Sequence, residues 1–167
     1  MFVTLILLIL EPETRRLSIS SAGYFPPLVR SGDNMVSELQ LENNFPIGIV
    51  KDNKYGDAEY LLKGGDRIVL YTDGVTEAMN KDGDMFGKDR LIQAIECGGE
   101  SPEELLENIN RAVSAHSAGY RQSDDLTMVC LAVDLGIYEN CRCRNICGSE
   151  STAPFWRALL DIPQAYG

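Results

Sequence analysis

Two acidic positions in this sequence could do chemistry. Asp73 ends the run Arg67-Ile68-Val69-Leu70-Tyr71-Thr72, and the pair Asp124-Asp125 opens the run Leu126-Thr127-Met128-Val129-Cys130-Leu131. Each borders β-branched and apolar residues that favour a buried strand, so each carboxylate is carried on a rigid strand end. Gly74, directly after Asp73, lets the backbone turn sharply or come close to a ligand. A carboxylate so placed either caps the next turn, which is the commoner use, or presents a hard oxygen to a divalent cation. Adjacent carboxylates repel and are costly unless solvated, hydrogen-bonded or neutralised by a cation, and the plain alternative for Asp124-Asp125 is an exposed acidic turn before a strand.

The other chemistry-bearing residues argue less. His116 is the one histidine; it ends an amphipathic stretch with no second histidine or cysteine at ligand spacing, which reads as structural. Cys141, Cys143 and Cys147 cluster, but no second Cys-x-x-Cys or histidine pair completes a zinc site. The five cysteines form no disulfide framework, and with no export signal a reducing, cytoplasmic location is expected. A net charge of -10, with scattered Lys and Arg, argues against a nucleic-acid partner and suits a divalent cation.

Six short segments stand in order along the chain: Ser21-Ala22-Gly23-Tyr24-Phe25-Pro26-Pro27-Leu28, Phe45-Pro46-Ile47-Gly48, Gly64-Gly65-Asp66-Arg67, Tyr71-Thr72-Asp73-Gly74-Val75-Thr76-Glu77-Ala78, Met85-Phe86-Gly87 and Ser123-Asp124-Asp125-Leu126-Thr127. Together they resemble the bacterial metal-dependent protein phosphatases of the PPM (PP2C-like) superfamily, in the branch of the sporulation stage II E and sigma-B regulator phosphatases. The resemblance covers Met1 to about Leu135.

It implies an α/β fold, the PPM-type layered α-β-β-α sandwich with antiparallel sheets and two helices on an outer face. Asp73 and Asp124 match the family's two late metal-binding aspartates, and Asp125 takes the supporting position beside the second. The implied cofactor is Mn²⁺ or Mg²⁺, with two ions in the complete family domain, and the resemblance assigns no catalytic side chain beyond the ligands. The implied activity is removal of phosphate from phosphoserine or phosphothreonine on a regulatory protein, such as an anti-sigma-factor antagonist, without a phosphoenzyme. Pro46-Ile47-Gly48 would be a tight bend beside the metal region.

Two departures bear on that reading. Tyr24 stands where the family usually has histidine; a neutral phenol is no proton carrier near neutrality, so this loop reads as a packing turn. The family's earlier Gly-Asp-x-x-Gly-His-Gly segment has no counterpart from Met1 onward. The expectation is therefore a domain incomplete at its N-terminus, read either as a truncated phosphatase or as a non-catalytic remnant that binds the regulator. Exposed apolar edges would favour a dimer, or pairing with a separate N-terminal half.

The elements that must position these residues follow from local patterning. At 167 residues one domain is expected, over residues 1–135, followed by a flexible tail over 136–167 of no assigned role. Phe2 to Leu10 is apolar but lacks a basic flank and falls far short of the ~20 residues that span a bilayer, so it reads as a buried strand and not as a membrane anchor. Leu17-Ser18-Ile19-Ser20 returns from it as a hairpin. Leu28-Val29, Val36 to Leu41, Ile47 to Val50, Glu59 to Leu62 and Thr127 to Leu135 read as further strands, spaced for packed sheets and not for alternating β-α units. Lys88 to Cys97 is helical, with Leu91, Ile92 and Ile95 on one face, and Gly98-Gly99 stops it. Ser101-Pro102-Glu103-Glu104 starts a second helix that runs to about Ala118, burying Leu105, Ile109, Ala112, Val113 and His116 and exposing Glu103, Glu107 and Arg111. Phe155 to Leu160 reads as a short helix or docking segment.

Overall fold

Alternating apolar side chains zip Leu5–Glu11 (β1) and Arg16–Ala22 (β2) into the expected antiparallel hairpin, in register from Leu5 opposite Ala22 to Glu11 opposite Arg16. The computed structural model describes residues 1–42, 44–118, 120, 125–133 and 144–145. Asp57–Leu61 (β5) pairs with the other side of β2 and completes a three-stranded sheet in the order β1-β2-β5. Leu28–Arg30 (β3), Val36–Glu38 (β4), Arg67–Tyr71 (β6), Met128–Ala132 (β7) and Arg144–Asn145 (β8) form a five-stranded antiparallel sheet in the order β4-β3-β6-β7-β8. β6 is its middle strand, paired with β3 on one side and β7 on the other.

The period-two alternation of β6 divides the interior. Ile68 faces the small sheet, where Leu17, Ile19, Val29 and Leu62 form one core with it. Val69 and Tyr71 face the helices, where Leu91, Ile95, Leu105 and Ile109 form the other. Gly87–Glu96 (α2) and Pro102–Ser117 (α3) cover that outer face of the large sheet. The expected capping box is present: Glu104 N–H donates to Ser101 Oγ at 3.1 Å, and Ser101 N–H donates to Glu104 Oε2 at 3.3 Å. His116 is structural, as its spacing indicated. Its Nε2–H donates to the Asp84 carbonyl at 3.0 Å and its ring meets Phe86 edge-on at 5.6 Å.

Arg30, only 2% exposed, ties β3 to the end of α2. Its guanidinium donates to the carbonyls of Ile95 at 3.3 Å, Gly98 at 2.8 Å and Gly99 at 2.8 Å. These carbonyls lie in the last turn of α2 and the two glycines that follow it, and the positive charge suits the negative end of the helix dipole.

Three expectations need correction. β1 is not buried. It is the edge of its sheet, with Leu5, Leu7 and Ile9 exposed, while Ile6, Leu8 and Leu10 pack on the inter-sheet core. An apolar run shows that a strand has something to bury but not that both faces are covered. Ile47 to Val50 is not a strand: Ile47 makes one bridge, to Val3, and the chain then turns. Glu103 is partly buried and not exposed. Asp134 and Leu135, Cys141, Cys143 and Cys147, and the Phe155 to Leu160 segment lie outside the described residues; within the expected tail, Arg144–Asn145 pairs with Val129 and Cys130 of β7.

Candidate metal centre

At the end of β6 the backbone is clamped to the head of β7. Thr72 N–H donates to the Thr127 carbonyl at 3.1 Å, Thr127 N–H donates to Thr72 Oγ1 at 3.1 Å, and the Thr72 hydroxyl donates to the Asp125 carbonyl at 3.2 Å. Asp73 follows at once as the first residue of a single helical turn, Asp73–Thr76 (α1). Its carboxylate Oδ1 accepts from Gly74 N–H at 3.0 Å, and its carbonyl accepts from Glu77 N–H at 2.8 Å. One oxygen of the Asp73 carboxylate, on a half-buried side chain, is therefore engaged by the following backbone N–H, while Thr72 holds the N-cap position of α1.

Gly74 is where the two acidic segments meet. It is buried, and a Cβ placed on it would collide with the Asp125 carbonyl oxygen and lie 3.0 Å from the carbonyl carbon. Here the glycine serves close approach of two backbones. The turn that carries Asp73 thus packs beside the Asp125 backbone. Asp125 is exposed; Asp124 itself lies outside the described residues.

The opposite wall comes from the loop between β2 and β3. β3 and β6 are antiparallel, with Leu28 opposite Val69, so the loop leads into β3 beside β6. The Phe25 ring stacks on Tyr71 with centroids 5.7 Å apart and planes 20° from parallel, which holds the loop along the β6 end. Gly23 adopts φ +69°, and a Cβ on it would lie 2.5 Å from Pro46 Cγ, so the Pro46 bend braces the loop from behind. Ser21 Oγ accepts from Tyr24 N–H at 3.3 Å and donates to the Tyr24 carbonyl at 3.2 Å. Burial, and then the Asp73 carboxylate, push the Tyr24 phenol above its ordinary pKa. Burial, followed by Tyr24, does the same to Tyr71. Tyr24 therefore stays a protonated donor at any physiological pH. From the sequence this loop reads as packing alone; what holds it along the end of β6 is the non-local stacking of Phe25 on Tyr71.

The donor chemistry fits a hard divalent ion. Mg²⁺ and ions like it are held by one or two carboxylates, with waters and phosphate oxygens completing the shell, and Asp73 offers such a carboxylate at a rigid turn. Soft or nitrogen ligands play no part here: His116 is engaged at Asp84, and burial pushes the Cys130 thiol up to about 11, leaving it protonated and unreactive. Among the described residues no three His, Cys, Asp or Glu side chains gather into a ligand group.

Comparison with known proteins gives the family and the fold. The family model of stage II sporulation protein E (SpoIIE) matches residues 1–134. Phosphoserine phosphatase RsbU of Bacillus subtilis is 29% identical over 134 residues, covering 78% of this chain and 39% of RsbU. Protein IcfG of Synechocystis sp. is 26% identical over 129 residues, covering 77% of this chain and 20% of IcfG. Among solved structures, the SiaA-PP2C domain of Pseudomonas aeruginosa matches with a TM-score of 0.66 at 24% identity, over 77% of this chain and 51% of that domain. The phosphatase domain of the cell fate determinant SpoIIE from Bacillus subtilis matches with a TM-score of 0.62 at 20% identity, over 81% of this chain and 60% of that structure. The chain thus spans less than half the length of these curated relatives and between half and two thirds of the solved domains. With its mixed α/β architecture, its antiparallel sheets and the match over residues 1–134, the chain belongs to the SpoIIE family of PP2C-type phosphatase domains.

Proposed function

We propose that this chain supplies the late-aspartate part of a Mn²⁺- or Mg²⁺-dependent protein serine/threonine phosphatase centre, in a phosphatase-domain portion over residues 1–135. Asp73 and Asp124 would hold the metal. The observation that supports the reading is the clamp of Thr72, Thr127 and Gly74, which holds the turn that carries Asp73 against the Asp125 backbone. A bound divalent ion supplies hydroxide at neutral pH and offsets charge on the phosphoryl oxygens. The chain's own residues fix the geometry: Gly74 N–H orients one Asp73 oxygen, and the Thr72 bonds hold the two strand ends at fixed separation. RsbU is by name a phosphoserine phosphatase, and the substrate class proposed here is a protein phosphorylated on serine or threonine, such as an anti-sigma-factor antagonist. No helix among the described residues is long and apolar enough to cross a membrane, and the proposed location is the cytoplasm.

The lack of a three-ligand group among the described residues favours a second reading, in which the chain binds the phosphorylated regulator without hydrolysing it. Hydrolysis of a phosphoserine peptide separates the two. The phosphatase reading expects Mn²⁺-dependent phosphate release that EDTA stops and that Asp73→Ala removes. Absence of release, with regulator binding that Asp73→Ala leaves intact, would overturn it in favour of the binding reading.

A further inference from the structure

The outer face of the small sheet carries an apolar surface left open among the described residues. β1 turns Leu5, Leu7 and Ile9 outward, and they are 42%, 38% and 54% exposed. Ser20 and Ser18 stand opposite Leu7 and Ile9, and these short side chains make a shallow floor beside the apolar ridge. Beyond them Asp57 and Glu59 of β5 stand opposite the same two serines as an acidic wall. Both longer helices, α2 and α3, pack on the other sheet. A contiguous apolar patch with a polar rim marks a docking surface.

The strand order shows which part of the chain emerges beside it. The Tyr60 hydroxyl of β5 donates to the Gln40 carbonyl just past β4, so β5 lies over the β4 side of the large sheet. β1, at the opposite edge of the small sheet, then lies over the β7-β8 side, and its Ile6, Leu8 and Leu10 pack on the core to which β7 contributes Leu131. The large sheet ends there, with β8 at Asn145. Residues 146–167, outside the described residues, follow from that edge. A chain extends by about 3.3 Å per residue, so residues 146–154 can cross the ~10 Å between stacked sheets with length to spare. Next come Phe155, Trp156, Leu159 and Leu160, two apolar pairs spaced four apart between Pro154 and Pro163, with Arg157 the one basic residue of 146–167.

We propose that residues 155–160 fold back round this edge and dock on the outer face of the β1-β2-β5 sheet, their apolar side chains against Leu5, Leu7 and Ile9 and Arg157 toward Asp57 and Glu59. One intramolecular contact then removes two sets of apolar side chains from water, and the tether keeps the segment at high effective concentration over the face. The docked segment also shields the β1 edge, whose open backbone groups would otherwise invite another strand.

Trp156 is the only tryptophan, so the tryptophan fluorescence of the whole chain reports this segment alone. The wild type is expected to show the emission of a buried indole and slow quenching by acrylamide, both unchanged on dilution. Leu7→Glu, and Ile9→Ser as a milder change, alter side chains that point outward from the sheet. Circular dichroism should therefore stay that of wild type, while the emission moves to longer wavelength and quenching rises several-fold. Solvent-exposed emission in the wild type would overturn the proposal. Burial lost on dilution would overturn it in favour of a second copy on this face, and burial that both variants leave unchanged would set Trp156 elsewhere and overturn it as well.

Discussion

Gly74→Ala is expected to destabilise the fold by about 1–3 kcal/mol and to weaken Mn²⁺ binding by about tenfold. In an open helical turn the same change would stabilise by up to about 1 kcal/mol, since alanine is the better helix former and restricts the unfolded chain. Here the new methyl would collide with the Asp125 carbonyl oxygen, which is backbone and cannot swing aside as a side-chain tip can. Either α1 or the Asp125 segment must move, and the Thr72 bonds to Asp125 and Thr127 resist that motion. The collision therefore outweighs the propensity gain, and what yields is the separation of the acidic segments. Urea unfolding and a Mn²⁺ titration on the same sample check both halves; a variant more stable than wild type would show that the two backbones are not in contact.

Arg30→Met is expected to cost about 3 kcal/mol of stability, a large part of the ~5–15 kcal/mol that holds a typical domain together. Methionine keeps the buried stem but leaves the carbonyls of Gly98 and Gly99 without the Arg30 donor, and Ile95 with the Gly98 N–H alone. Each buried acceptor so stranded costs roughly 1–3 kcal/mol, partly offset because a buried cation no longer has to be desolvated. Arg30→Lys should recover little, since one ammonium cannot reach three carbonyls as the planar guanidinium does. Metal binding should follow the folded fraction alone, because the Arg30 anchor lies at the end of α2 and not at Asp73. Urea unfolding within 1 kcal/mol of wild type for Arg30→Met would contradict the anchor.

What could be read from the sequence was what local chemistry decides. The β1-β2 hairpin follows from an apolar run and an alternating run around a polar turn, and the α3 start follows from Ser101, Pro102 and Glu104 at their spacings. The β6 strand with Asp73 at its end was legible because β-branched residues stop abruptly at an aspartate and a glycine. Features set by distant neighbours were not legible in the same way. The exposure of Leu5, Leu7 and Ile9 depends on β1 being an edge, the burial of Arg30 depends on where α2 ends, and the place of the Tyr24 loop depends on Phe25 stacking on Tyr71. None of these leaves a mark within a few residues of the side chain concerned. For the site itself, the resemblance singled out Asp73 and Asp124. The structure sets Asp73 at the clamp, and it adds Gly74 as the contact between the acidic segments.

The central claim is that Asp73 is a metal ligand and not only an acceptor for the Gly74 N–H of its own turn. Calorimetric titration of Mn²⁺ into wild type and Asp73→Asn tests it most directly, because asparagine keeps an oxygen for Gly74 N–H while removing the charge. The account predicts saturable binding to wild type that disappears in Asp73→Asn, with thermal stability nearly unchanged. Equal binding by both proteins, or binding by neither, would contradict it and leave Asp73 as a turn-capping residue.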